Sequence, residues 1–176
     1  NVKLVSVEPK SKLFVIFMKD LKPLGDLVNT ILSYNPESVE SYDDATFNLA
    51  IRFLPEMLKL MKFKNLLKLA WGFLPEVGMV LTSGLPKLIL LVEFSGNSLE
   101  EIDGKMERLK EEIIKSKNPD IAKLKVRKTK TPEEAEKYWT IRRESFSLLR
   151  KHVQGRRTAP FIDDICVRPE FLPEFL

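Results

Sequence analysis

The chain is short of the residues that most catalytic and metal chemistry requires. Its 176 residues include one cysteine and one histidine. Cys166 can form no disulfide within the chain and belongs to no cysteine-based metal site, a usage that fits a reducing compartment. His152 excludes a multi-histidine metal centre, and its position after a helix reads as surface or cap rather than half of a Cys–His pair. The seven glycines build no phosphate-binding loop, and neither a G-x-S-x-G elbow nor His-rich metal spacing is present. No apolar run reaches the ~18 residues of a membrane span, and there is no signal peptide. Charge is nearly balanced, with 29 basic against 25 acidic residues and a net +4. No single-sign block is long enough for a nucleic-acid arm; the basic stretch Lys123 to Lys130 reads as a strand with one solvated face. These features together point to a cytoplasmic protein that binds no nucleic acid.

What is present is the composition of an ordinary globular domain, 44% hydrophobic and 31% charged, long enough to bury a core. The chain begins at Asn1 without Met and ends at Leu176 inside an apolar-rich stretch from Pro169. We read it as a single domain, residues 1–176, excised from a longer chain.

Hydrophobic patterning predicts strand, helix, strand, twice over. Leu13 to Met18 is a continuous apolar run of strand length. Leu21 to Ser33 carries Leu21, Leu24, Leu27, Val28, Ile31 and Leu32 at helical spacing until Asn35-Pro36 breaks it. Ser38 to Tyr42 alternates as a second strand. In the second half, Lys87 to Phe94 is a strand. Ser98 and Glu101 form a capping box for a helix with Ile102, Met106, Leu109, Ile113 and Ile114 on one face. Asn118-Pro119 is expected to end that helix, and Leu124 and Val126 alternate in a further strand. The result is an α+β fold, a ferredoxin-like βαββαβ antiparallel sheet. A helical insertion over about residues 44–86 separates its halves. Within it, Phe53 to Leu74 is rich in Leu, Met, Phe and Lys and includes Trp71, reading as an excursion that packs on itself or on a partner, protein or membrane surface. Lys64 and Lys68 fall opposite Arg52, Glu56, Lys59 and Lys62, which predicts a break near Phe63.

An additional C-terminal helix and strand follow. Thr131 caps the helix, Pro132 takes its first position and Glu134 closes a capping box; Ile162, Ile165 and Val167 favour the strand. The helix poses one problem. Arg142 falls on a stripe that otherwise reads Ala135, Tyr138, Trp139, Phe146 and Leu149, and a guanidinium is rarely buried without an anion. That anion is either a protein carboxylate, with Asp163 and Asp164 as candidates, or a ligand. The adjacent carboxylates Asp43-Asp44 and Asp163-Asp164 are poorly placed as acid–base couples, because neighbouring strand residues point to opposite faces; caps, turns or salt bridges suit them better.

The segment from Trp139 to Phe146 (Trp-Thr-Ile-Arg-Arg-Glu-Ser-Phe), followed by Phe161 to Phe175, resembles the C-terminal region of FAD-linked oxidases, flavoenzymes related to D-lactate dehydrogenase and the FAD subunit of glycolate oxidase. Their pattern is a W-x-x-R helix, then a D-x-x-V-P strand leading into a leucine-rich helix. Leu91-Val92-Glu93-Phe94-Ser95-Gly96 resembles the L-V-E-x-x-G strand of the family, and Pro36 to Glu40 its P-x-x-x-E segment. The four motifs occur in the family's order. The resemblance implies a ferredoxin-like cap or substrate domain of an FAD-dependent oxidoreductase acting on a 2-hydroxy acid of D-lactate or glycolate type. FAD would be held mainly by a missing N-terminal domain rather than by this piece. No catalytic or metal-binding residue is assigned within the chain. Arg142 matches the arginine that binds the substrate carboxylate, so the implied partners are that domain, a small anionic substrate and an electron acceptor or peripheral membrane surface. The family's His-containing glycine motif would lie beyond Leu176. Phe146 stands where some hydroxy-acid members have Thr, Ile162 where some have Lys, and Arg168 lengthens the V-P step. The first two departures speak against a D-2-hydroxyglutarate-like substrate. The other reading of the chain is a stand-alone ferredoxin-like interaction module using Phe53 to Leu74.

Overall fold

A computed structural model describes residues 10–53, 56, 78, 84–152 and 166–175. The first half of the fold is β1 (Lys10–Met18), α1 (Leu24–Leu32), β2 (Ser38–Asp43) and α2 (Asp44–Arg52). The second half is β3 (Leu88–Gly96), α3 (Leu99–Ile114), the short α4 (Pro119–Ala122), β4 (Lys125–Lys128) and the long α5 (Pro132–His152). A 3-10 turn, Pro169–Phe171, and the one-turn α6, Leu172–Phe175, close the described chain.

The four strands form one antiparallel sheet in the order β2-β3-β1-β4, the arrangement expected of a βαββαβ unit. β1 and β3 are central, which explains their unbroken apolar runs: both faces of each are buried. On one face, Phe14, Ile16, Met18, Leu90, Val92 and Phe94 pack under α1 and α3 with Leu27, Ile31, Ile102, Met106 and Leu109. On the other, Leu13, Val15, Phe17, Ile89 and Leu91 meet Phe47 and Ala50 of α2 and Tyr138 and Ile141 of α5.

Helix starts follow the capping residues. Ser98 Oγ accepts the Glu101 N–H at 3.1 Å, while the Glu101 carboxylate turns to Lys105, 2.9 Å away. Asp43 caps α2, accepting the Thr46 N–H at 2.8 Å, which is the role foreseen for that carboxylate pair. Thr131 Oγ1 accepts the Glu134 N–H at 3.3 Å.

One expectation changes. Asn118-Pro119 does not end a helix. α3 stops at Ile114, and Asn118 caps α4 by accepting the Asp120 N–H at 3.0 Å, with Pro119 in the first-turn position it favours. The start of the helical insertion, α2, seals the second face of the sheet because Phe47 and Ala50 are turned toward it. It ends at Arg52, and apart from Phe53, Glu56 and Gly78 the rest of the insertion to residue 83 lies outside the described residues, the break near Phe63 included. Of the C-terminal strand, only Cys166, Val167 and Arg168 are described, and they belong to no ladder. The turn after them rests on α1 so closely that a Cβ at Gly25 would stand 2.7 Å from the Pro169 carbonyl oxygen. Leu172 packs against the core there.

Candidate functional site

The strand register aligns four residues across the second face of the sheet. Arg127 of β4 stands opposite Val15 of β1, Val15 opposite Leu91 of β3, and Leu91 opposite Glu40 of β2. α5 lies across this row. Glu134 meets Arg127 at one end, Tyr138 meets Phe17 in the middle with ring centroids 6.5 Å apart, and Arg142 meets Glu40 at the other end. The dimensions agree. Eight residues of helix rise about 12 Å, and three strand spacings cover about 14 Å. Helix and row are therefore matched in length and joined at each end by an ion pair, with the polarity reversed between them.

The β4 end is tightly built. Arg127 Nε donates to Glu134 Oε1 at 2.7 Å, and its Nη2 also contacts that oxygen. The other carboxylate oxygen accepts the Lys130 backbone N–H at 2.8 Å, one residue before the amide that an ideal capping box would satisfy. Burial alone would raise the Glu134 carboxyl, but the Lys130 N–H and the Arg127 guanidinium outweigh it and hold the group below its ordinary value. Nearby, Thr129 Oγ1 donates to the Leu13 carbonyl at 3.0 Å and accepts the Leu13 N–H at 3.1 Å. Lys137 is buried, with its ammonium 4.7 Å from the centre of the Tyr138 ring.

The β2 end is more open. Arg142 Nε lies 3.2 Å from Glu40 Oε2, and the two side chains are 47% and 42% exposed. The buried face of α5 is formed by Lys137, Tyr138, Thr140 and Ile141, with Ala135 and Trp139 packed at its margin. Arg142 sits about 100° further round the helix than Ile141, where α5 reaches β2 at the edge of the sheet. The expectation of a buried arginine is thus corrected: a stripe read from periodicity included a position on the flank. The side chains of Phe146 and Leu149 lie outside the described residues, as do Asp163 and Asp164, the carboxylates first considered as partners. The carboxylate present is Glu40, from the P-x-x-x-E segment, so two separated motifs meet here.

Other polar groups gather at the same corner. Glu93 follows Leu91 by two residues on β3 and so shares its face, with Ser38 Oγ 3.5 Å from its Oε2. Ser95 Oγ donates to Glu37 Oε2 at 2.7 Å. Among the described residues no three His, Cys, Asp or Glu side chains stand close enough to share a metal ion. Among the described residues the partner of Arg142 is Glu40, through its Nε at 3.2 Å. A half-exposed guanidinium can bind a planar carboxylate through two parallel hydrogen bonds.

Among the described glycines, Gly78 and Gly84 have open space beside them. Gly25 is pressed against the Pro169 turn, and Gly96 and Gly104 face the Glu101 and Arg108 side chains. A cavity of about 280 Å³ between β1, β4 and Pro86 is lined by Phe17, Lys19, Asp20, Lys123 and Lys125; it opens at the far end of the sheet from Glu93 and does not reach Arg142. No described helix is long and apolar enough to cross a membrane. Cys166 is exposed.

Sequence reasoning found Arg142 but missed Arg127–Glu134, Lys137 and the pairing with Glu40. The first was within reach, since Glu134 was already placed in a capping box and Arg127 lies near the end of the preceding strand. The pairing with Glu40 depends on how β2 docks on β3, which no local pattern encodes. The family model described as FAD linked oxidases, C-terminal domain matches residues 8–176. No curated protein matches the chain.

Proposed function

Starting from the fact that the chain belongs to the FAD linked oxidase family, as the C-terminal domain of such an oxidoreductase, we propose that it is the domain that covers the substrate and that Arg142 holds the substrate's carboxylate. The substrate class is a small 2-hydroxy acid of D-lactate or glycolate type, and FAD is carried by a separate N-terminal domain of the same protein. An electron acceptor, or a membrane surface carrying one, is the further partner. The observation that carries this reading is the open setting of Arg142: a half-exposed guanidinium on a helix packed against the sheet, with Glu40 3.2 Å from its Nε.

The chemistry asked of this chain is binding and orientation. The long helix is anchored by Tyr138 and Ile141 in the core and by Glu134 on Arg127, so the guanidinium is presented from a fixed base. A carboxylate docked on it places the adjacent hydroxyl-bearing carbon in one orientation, which is what positioning residues contribute to rate. The oxidation is coupled to the FAD of the full-length protein, and no chemical step is assigned to the described residues.

Anaerobic flavin reduction by D-lactate and by glycolate tests the reading in the full-length protein. One of the two acids should bleach the flavin, and Arg142→Gln should raise the concentration needed by about 10- to 100-fold. That is the effect of losing charge-assisted hydrogen bonds worth about 1.5–3 kcal/mol. Unaltered concentration dependence in the variant would remove Arg142 from the site.

A further inference from the structure

We infer that the cavity at the end of the sheet away from Glu93 is a second binding site, for a small organic monoanion with a flat apolar body, the class of an aromatic monocarboxylate. The inference does not depend on the reading of Arg142, which the cavity does not reach. Three observations support it.

The first is shape. At about 280 Å³ the cavity lies near the lower limit of small-molecule sites, about 300 Å³. It has the space of roughly nine liquid waters, which suits one ring with one substituent and excludes a nucleotide. Its walls are fixed by backbone hydrogen bonds. The Lys87 N–H donates to the Met18 carbonyl at 2.8 Å, holding the Pro86 side against the end of β1. The Leu27 N–H donates to the Pro23 carbonyl at 2.9 Å and the Leu124 N–H to the Ile121 carbonyl at 3.0 Å. A site whose walls are set beforehand loses little entropy on binding.

The second is the division between floor and rim. Phe17, Pro23 and Pro86 line the cavity and are buried, and Leu124 is half-buried. Phe17 is further fixed by its ring contact with Tyr138, the centroids 6.5 Å apart. The lysines that line it, Lys19, Lys123 and Lys125, are exposed. An apolar floor with a few polar groups at its margin is the usual construction of a small-molecule site. The body of the ligand covers the floor, and its carboxylate stays at the rim among the ammonium groups.

The third is charge. The three lysines are opposed by two aspartates, Asp20 and Asp120. Asp20 is engaged in its own turn, accepting the Lys22 N–H at 3.1 Å. Among the described residues neither Lys19 nor Lys123 forms an ion pair. One negative charge therefore brings the cavity to neutrality, and a dianion would leave it negative. Charge at so exposed a rim is screened by solvent and salt, so the apolar body has to supply part of the affinity. An inorganic anion lacks that part.

The probe is benzoate, titrated by calorimetry into the full-length protein and into its Arg142→Gln variant, which lacks the carboxylate holder proposed on α5. Benzoate should bind to Arg142→Gln with a dissociation constant of about 1 mM or lower. Adding Lys19→Gln and Lys123→Gln should weaken it at least about tenfold, with melting little changed because both side chains are exposed. If melting falls, the two single variants are compared instead, and each should weaken benzoate. Inorganic phosphate, charge without a body, and benzyl alcohol, a body without charge, should each bind about tenfold more weakly than benzoate. Benzoate bound by the unaltered protein but not by Arg142→Gln would place all of it on α5 and overturn the inference. So would unchanged affinity in the lysine variants, or no binding to either protein at about 10 mM. Phosphate or benzyl alcohol binding as tightly as benzoate would overturn the ligand class.

Discussion

At the β4 end of α5 a carboxylate is enclosed by a guanidinium and a backbone amide, with its arginine three-quarters buried; at the β2 end a guanidinium stands half in water beside one carboxylate oxygen. Both ends belong to one helix lying over one row of the sheet, so the contrast comes from depth and partner number. A group held by several short contacts cannot change partners without leaving a charge uncompensated. A group held through one nitrogen at an exposed edge exchanges partners at little cost. The same helix thereby carries a fixed anchor and an exposed charged group, and the anchor keeps that group in register.

Removing what the two ends share should have the largest effect. Tyr138→Ala empties the centre of the α5 contact with the sheet and should cost about 3–5 kcal/mol, the range for deleting a large buried aromatic, measured by urea unfolding. An effect under about 1 kcal/mol would mean that α5 is held mainly by its ends.

Next comes the anchor. Glu134→Gln should cost about 1–3 kcal/mol, because Arg127 loses its charged partner and a partly buried network is left incomplete. The pH dependence has a definite sign. The Glu134 carboxyl is held below its ordinary 4.5, so its contribution is complete above that value and disappears as pH falls through the lowered one. Stability of the unaltered protein should therefore fall more steeply below pH 4.5 than that of Glu134→Gln. Parallel acid limbs would show that the anchor is weaker than its geometry indicates.

The smallest effect on stability belongs to the open end. Arg142→Gln should change it by about 0–1 kcal/mol, as for an exposed ion pair. A loss matching that of Glu134→Gln would erase the distinction between the two ends and return Arg142 to a structural role.

Much of the fold is legible in the sequence because its signals are local. The apolar runs of β1 and β3 announce central strands, and Ser98, Asp43 and Thr131 mark helix starts through hydrogen bonds spanning three residues. What escaped depends on tertiary placement. Asn118-Pro119 is equally able to stop a helix or open one, and only the end of α3 at Ile114 decides. α2 resembles the rest of its Leu- and Phe-rich insertion, yet Phe47 commits it to the core. The stripe on α5 gave the residue of interest and mistook its setting, because helical periodicity does not record where a helix meets the edge of a sheet. Glu40 was visible as part of a motif, but its meeting with Arg142 is a product of strand register.

The central claim is that Arg142 binds an anion at the open end of an anchored helix. Titration of the flavin-loaded full-length protein with propionate, followed by the flavin spectrum, tests it most directly, since propionate presents one carboxylate and has no hydroxyl to be oxidised. Arg142→Gln should weaken propionate binding at least about tenfold, the loss of roughly 1.4 kcal/mol or more, with melting close to that of the unaltered protein. Equal propionate affinity in the two proteins, or a loss that accompanies a collapse in melting temperature, would contradict the claim.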